Sequence, residues 1–169
     1  MIRYKDILTD SIVDGSGIRV VAFLQGCPRK CEGCHNPSLL PPDGGIETTE
    51  RELAKILLKK LTPKHSGITF SGGDPLMQPE ALYNVITYLR NKRPDINIWV
   101  YTGYLFEEVK HLPVMGLIDI LVDGPFIQKE KDISLFFKGS RNQRIIDVPN
   151  SLITGNVVEL FTKKSVANI

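Results

Sequence analysis

Every cysteine of this chain lies in one run, Cys27-Pro28-Arg29-Lys30-Cys31-Glu32-Gly33-Cys34, spaced C-x3-C-x2-C. Clustered thiols of this kind make a poor disulfide set and a good metal set. They also fit a reducing compartment, so a cytoplasmic location is expected. Three thiolates can hold three irons of a 4Fe–4S cluster and leave the fourth iron open. A cluster that only carries electrons is normally held by four cysteines. An open coordination position marks a metal site that does chemistry, by the logic that separates catalytic from structural zinc sites. The expected metal ligands are therefore Cys27, Cys31 and Cys34. The alternative is a structural zinc with His35 as its fourth ligand. Adjacent Cys34 and His35 strain a tetrahedron, and the chain lacks the distant second ligand pair that most such sites use.

Ser71-Gly72-Gly73-Asp74 is the second motif with chemical content. Glycines let a backbone approach a ligand closely. Carbonyls exposed at a strand end can accept from an ammonium, and Asp74 can add a charge-assisted bond to it. Gly33 leaves room beside the last thiol, and the His35 imidazole could stack on or bond to a base. Thr102-Gly103-Tyr104 and Asp123 complete the set. Each has a plainer reading beside the functional one: Tyr104 as rim packing, Asp123 as a turn cap, His35 as an exposed loop residue. Phe136-Phe137-Lys138-Gly139-Ser140-Arg141-Asn142-Gln143-Arg144 reads as a solvated loop, as a docking edge, or as a source of donors for a ligand carboxylate. Asp14-Gly15-Ser16-Gly17-Ile18-Arg19 is a glycine turn into a strand, read as structural with a substrate-facing role as the alternative. It precedes a strand and opens no helix, the wrong context for a dinucleotide fingerprint.

The elements that must position these residues alternate between two periodicities. Residues 19–24 form a short β-branched run that stops at Gly26, and the cysteine loop follows at once. Thr49 and Glu52 predict a capping box, with Leu53, Ile56, Leu57 and Leu61 at helical spacing after it. Residues 67–70 form the next strand, ending in the Gly-Gly-Asp turn. A helix starts at Pro79, a favourable first-turn position, and sets Leu82, Val85, Ile86 and Leu89 on one face. Strand 96–101 ends in Thr102-Gly103. A short helix over 106–111 leads to strand 118–122, which ends in Asp123-Gly124. Residues 144–148 and 156–161 are further strands, read as antiparallel.

The order βαβαβαβ predicts a parallel sheet with helices packed outside it. About four units are too few to close an eight-stranded barrel. The expected fold is α/β, an open partial (β/α) barrel of mainly parallel strands in one domain over residues 1–169. All four motifs fall just after the C-terminal ends of strands. In parallel α/β folds those ends share one rim, where ligands bind.

Composition is that of an ordinary globular protein. Of 169 residues, 42% are hydrophobic and 24% charged, enough apolar material for a core that does not depend on a metal. The net charge of +2 is too small to argue for nucleic acid or an anionic membrane. Lys163-Lys164 is read as a solvated tail. Neither a transmembrane run nor a signal-peptide core is visible.

The C-x3-C-x2-C spacing resembles the signature of the radical S-adenosylmethionine (SAM) enzymes, in which the amino acid end of SAM caps the open iron. Taken with residues 14–19, 26–37, 71–76, 99–104, 121–124 and 139–143, the chain resembles the activating proteins of anaerobic (class III) ribonucleoside-triphosphate reductases. The resemblance implies a radical SAM fold and a 4Fe–4S cluster reduced by a flavodoxin-like donor. It implies SAM cleavage to a 5′-deoxyadenosyl radical, and hydrogen abstraction from a glycine near the reductase C-terminus. It also implies that Gly33, His35, Gly72, Gly73, Asp74, Thr102 and Asp123 contact the cofactor. Two positions depart from pattern. Gly33 stands where many radical SAM enzymes have an aromatic residue. Pro125 follows Asp123-Gly124 where several relatives place a lysine, which removes one partner for the SAM carboxylate. Two other readings remain: a small-molecule radical SAM enzyme similar to 7-carboxy-7-deazaguanine synthase, and a non-enzymatic metal module.

Overall fold

The computed structural model describes residues 1–161, so the Lys163-Lys164 tail lies outside the described residues. One sheet of eight strands organises them. In chain order these are β1 Ile2–Ser11, β2 Ile18–Leu24, β3 Ile46–Thr48, β4 His65–Gly72, β5 Asn97–Tyr101, β6 Ile120–Asp123, β7 Arg144–Asp147 and β8 Glu159–Leu160. In space they run β3-β1-β2-β4-β5-β6-β7-β8, and the sheet does not close. The central four, β2, β4, β5 and β6, are parallel. Antiparallel pairings extend both sides.

The sheet is therefore mixed, where a mainly parallel one was expected. The expected strands supply the parallel centre, and β1 and β3 are additions. β1 escapes a periodicity reading because only its end residues, Ile2 and Ser11, are fully buried. Its register on β2 is also broken twice by bulges, and each bulge flips the alternation. Near the C-terminus, β8 is shorter than the expected strand 156–161. Residues 148–154 form a helix, with Pro149 in its first turn and Asp147 accepting from the Asn150 N–H at 3.1 Å.

Helices α1 Glu50–Lys60 and α2 Pro79–Lys92 cover one face of the sheet. Leu53, Ala54 and Leu57 of α1 and Leu82, Val85, Ile86 and Leu89 of α2 are buried with Ala22, Leu24, Ile68, Phe70, Ile98 and Val100. This is the face the 3.6-residue spacing selects. At the start of α1, Thr49 Oγ1 accepts from the Glu52 N–H at 3.1 Å. The Glu52 carboxylate turns to Lys55 instead of back to Thr49, so half of the expected capping box forms. A four-residue helix, α3 Phe106–Val109, follows β5, and α4 Val148–Thr154 follows β7.

The opposite face carries a buried cation. Arg19 is 1% exposed. It donates to Thr69 Oγ1 at 2.7 Å, to the Ser16 carbonyl at 3.1 Å, and to the Ile68 and Asn97 carbonyls at 2.9 and 3.0 Å. It also lies 5.4 Å from the Trp99 ring centroid. Burial lowers its pKa to about 10, which leaves it charged at neutral pH. Its bonds join β2, β4 and β5 on this face, which explains the structural reading of the 14–19 segment.

Candidate functional site

The parallel strands end together, and backbone bonds fix their loops to one another. Beyond β4, the Gly73 N–H donates to the Leu24 carbonyl at 2.9 Å, and the Asp74 N–H to the Gly26 carbonyl at 2.8 Å. The Gly26 and Cys27 N–H groups donate to the Leu39 and Leu40 carbonyls at 2.7 and 3.1 Å. The root of the cysteine loop is thus held from two sides. This contact also explains the glycine pair. A Cβ on Gly72, whose φ is +115°, would stand 2.5 Å from the Leu24 backbone. A Cβ on Gly73 would stand 2.2 Å from the Gly26 carbonyl oxygen. The close approach that requires these glycines is that of the protein's own β2 and the loop that leaves it.

Above this seam lies an open cavity of about 220 Å³ lined by Cys27, Cys31 and Cys34, by Gly72, Gly73 and Asp74, and by His35, Thr102 and Gly103. Residues spread over three loops therefore meet in one place. All three thiols are half-buried and unpaired. Burial pushes the Cys27 thiol pKa up, against a backbone hydrogen bond from Arg29 and the charge of that side chain. Among the described residues, no three His, Cys, Asp or Glu side chains converge on a single ion. A cluster asks for a wider arrangement, one thiolate per iron, and three thiols around one cavity suit it.

Asp74 is 1% exposed. Its carboxylate accepts from the Leu76 N–H at 3.0 Å, Thr102 Oγ1 at 2.8 Å, the Gly103 N–H at 3.0 Å and Arg29 Nη1 at 3.0 Å. Burial raises its pKa, and the bonds from Gly103, Thr102 and Leu76 and the charge of Arg29 oppose the rise. Four donors fill the four acceptor positions of a carboxylate. The expected direct bond from Asp74 to a ligand ammonium therefore finds no open lone pair, and the Thr102 hydroxyl is spent on Asp74.

Two expected contacts are not at the cavity. Asp123 is fully buried, and its carboxylate accepts from the Phe106 N–H at 2.8 Å and from Arg144 at 3.0 and 2.6 Å. It caps α3 and pairs with Arg144, so its plainer reading as a cap is the correct one. Gly33 is exposed with φ +73°. It makes the turn in which the Cys34 N–H donates to the Cys31 carbonyl at 3.2 Å, and it does not line the cavity. Loop 139–143 lines the cavity through Gly139 and Gln143, but its side-chain amides are spent internally. Gln143 accepts from the Gly139 and Ser140 N–H groups and donates to the Gly124 carbonyl, and Asn142 donates to the Pro125 carbonyl. Of the 140–144 stretch only Arg141 is exposed.

Two residues were invisible to motif reading. The Phe126 ring lies 5.6 Å from the His35 ring, tilted by 60°, and both line the cavity. Arg29 lies inside the cysteine run, with its guanidinium 4.0 Å from the Tyr104 ring centroid. Its type and its place between two thiols were the available signal.

Comparison with known proteins agrees with this geometry. The family described as a 4Fe-4S single cluster domain matches residues 13–146. The chain is 36% identical to the anaerobic ribonucleoside-triphosphate reductase-activating protein of Enterobacteria phage T4, over 85% of this chain and 92% of that one. It is 34% identical to the protein of that name in Haemophilus influenzae, over 85% and 96%. With the Escherichia coli K12 protein of that name the identity is 36%, over 83% and 96%.

Proposed function

We propose an activity for this chain, which belongs to the family of anaerobic ribonucleoside-triphosphate reductase-activating proteins: it activates the anaerobic reductase, and does so as a radical SAM enzyme. The observation that carries the reading is the meeting of the chain's only three cysteines with the Gly-Gly-Asp turn around one cavity at the strand ends. Cys27, Cys31 and Cys34 would hold a 4Fe–4S cluster, which when bound and reduced supplies the electron that splits SAM into methionine and a 5′-deoxyadenosyl radical. The hydrogen that quenches this radical comes from the Cα of a glycine of the reductase, and a flavodoxin-like protein supplies the electron.

The protein's part is to bind, orient and exclude water. Carbonyls of the Gly72-Gly73 turn accept from the SAM ammonium. His35 and Phe126, in ring contact with each other at the cavity wall, offer an aromatic surface for the adenine. Asp74 holds Thr102, Gly103 and Arg29 in place, and the bonds from β4 to β2 fix the cysteine loop. No side chain is needed as a general acid or base, because the reaction moves a hydrogen atom.

The test is anaerobic reconstitution with iron and sulfide, then dithionite and SAM, with 5′-deoxyadenosine measured. Formation of the nucleoside is expected, and Cys31→Ala should abolish it while the chain stays folded on its apolar core. Full cleavage by Cys31→Ala, or turnover of a pterin with no effect on a reductase, would reject the proposal.

A further inference from the structure

We infer that Arg29 is the carboxylate-binding residue of this cavity, presenting its guanidinium to the carboxylate of an α-amino acid group, with Asp74 as the residue that positions it. The inference rests on the reading that the amino acid end of SAM binds here.

Among the described residues lining the cavity, Arg29 is the only lysine or arginine. Arg29 is held at two points. Its Nη1 donates to Asp74 Oδ2 at 3.0 Å, and its plane lies over Tyr104 at 4.0 Å. The side chain passes directly over Gly103, where a Cβ would stand 2.8 Å from Arg29 Cδ. Among the described residues, neither Nε nor Nη2 donates to a protein acceptor. An arginine fixed by stacking and by one N–H, with further N–H groups uncommitted, is a pre-organised fork for a second carboxylate.

Its position in the chain decides which carboxylate. Arg29 lies two residues from Cys27 and two from Cys31, so an anion on its fork lies beside the thiols. The same geometry argues against Arg29 as an exchangeable cation that leaves Asp74 when an ammonium arrives. Asp74 is 1% exposed and already accepts from four donors, and Arg29 is held a second time over Tyr104, so an exchange would break both of its contacts. The ammonium therefore falls to the turn carbonyls, the carboxylate falls to Arg29, and Asp74 touches neither.

The test is equilibrium binding of SAM and of decarboxylated SAM to reconstituted wild-type, Arg29→Gln, Arg29→Lys and Tyr104→Leu proteins, each corrected for iron and sulfide content. Arg29→Gln removes a charge-assisted bond. SAM affinity should fall about tenfold to a hundredfold, while affinity for decarboxylated SAM stays unchanged. Arg29→Lys keeps the charge and loses the fork, so it should fall between. Tyr104→Leu should weaken SAM alone. If Arg29→Gln does not load with iron, the last two variants decide the matter. An equal loss for both ligands would make Arg29 merely structural, and a gain for both would make it a competitor for the ammonium. Either result overturns the inference and leaves the SAM reading intact. Failure of the wild-type protein to bind either ligand overturns both.

Discussion

Asp74 and its four donors make a prediction about pH. Burial is the largest influence on this carboxyl and raises its pKa above the unfolded value, which is about 3.9. A raised folded pKa means that the native state holds the proton to a higher pH than the unfolded state does. The stability it contributes is fully present below about pH 4 and is lost as pH rises through the folded pKa. Asp74→Asn cannot titrate, so the stability of wild type relative to Asp74→Asn should decline as pH rises from 4 toward 7 in denaturant unfolding. A difference that is flat or rises over that range would contradict the burial account. At this scale the sequence was most legible where the chemistry is local. Three thiols in one run need no tertiary contact to suggest a cluster. Asp74 was recognised but misassigned, because one of its partners, Arg29, lies 45 residues away. Asp123 was misassigned for the same reason, since Arg144 is 21 residues distant.

At the scale of elements, the seam between β2 and β4 and the pair between β6 and β7 each carry a testable load. The Gly73 Cβ position is 2.2 Å from a backbone oxygen that cannot swing aside. Gly73→Ala should therefore cost about 1–3 kcal/mol of stability, as overpacking does. It should also raise the alkylation rate of Cys27, whose loop begins at that contact. Unchanged stability with a selective loss of SAM affinity would return the glycine to a ligand-facing role. Arg144 is held well above its ordinary pKa by Asp123 and Glu107. Arg144→Leu strands a fully buried carboxylate, so a loss of about 3–5 kcal/mol is expected in denaturant unfolding. Asp123→Asn should likewise lower stability. Loss of SAM affinity at unchanged stability would instead favour the ligand role first expected for Asp123. The parallel strands and α1 and α2 were legible because both follow a sustained hydrophobic period. β1 was not, because its bulges break the period and its partner β2 supplies the burial.

Across the whole molecule, the parallel centre brings the loops after β2, β4 and β5 to one open rim, and the cavity lies there. The Gly124 connection after β6 reaches the same rim. Among the described residues, no helix is long and apolar enough to cross a membrane. The rim's polar loops are tied to each other, so they form a fixed frame. On the proposed mechanism a radical generated in that frame would need shielding from water, and the proposed shield is the reductase segment that carries the acceptor glycine. The most direct measurement is electron paramagnetic resonance on a mixture of this protein, SAM, a reductant and its cognate anaerobic reductase. The account predicts a glycyl doublet on the reductase that needs all three cysteines and disappears when the acceptor glycine is changed to Ala. A reductase that stays free of radical, while this protein and SAM turn over a small molecule instead, would contradict it.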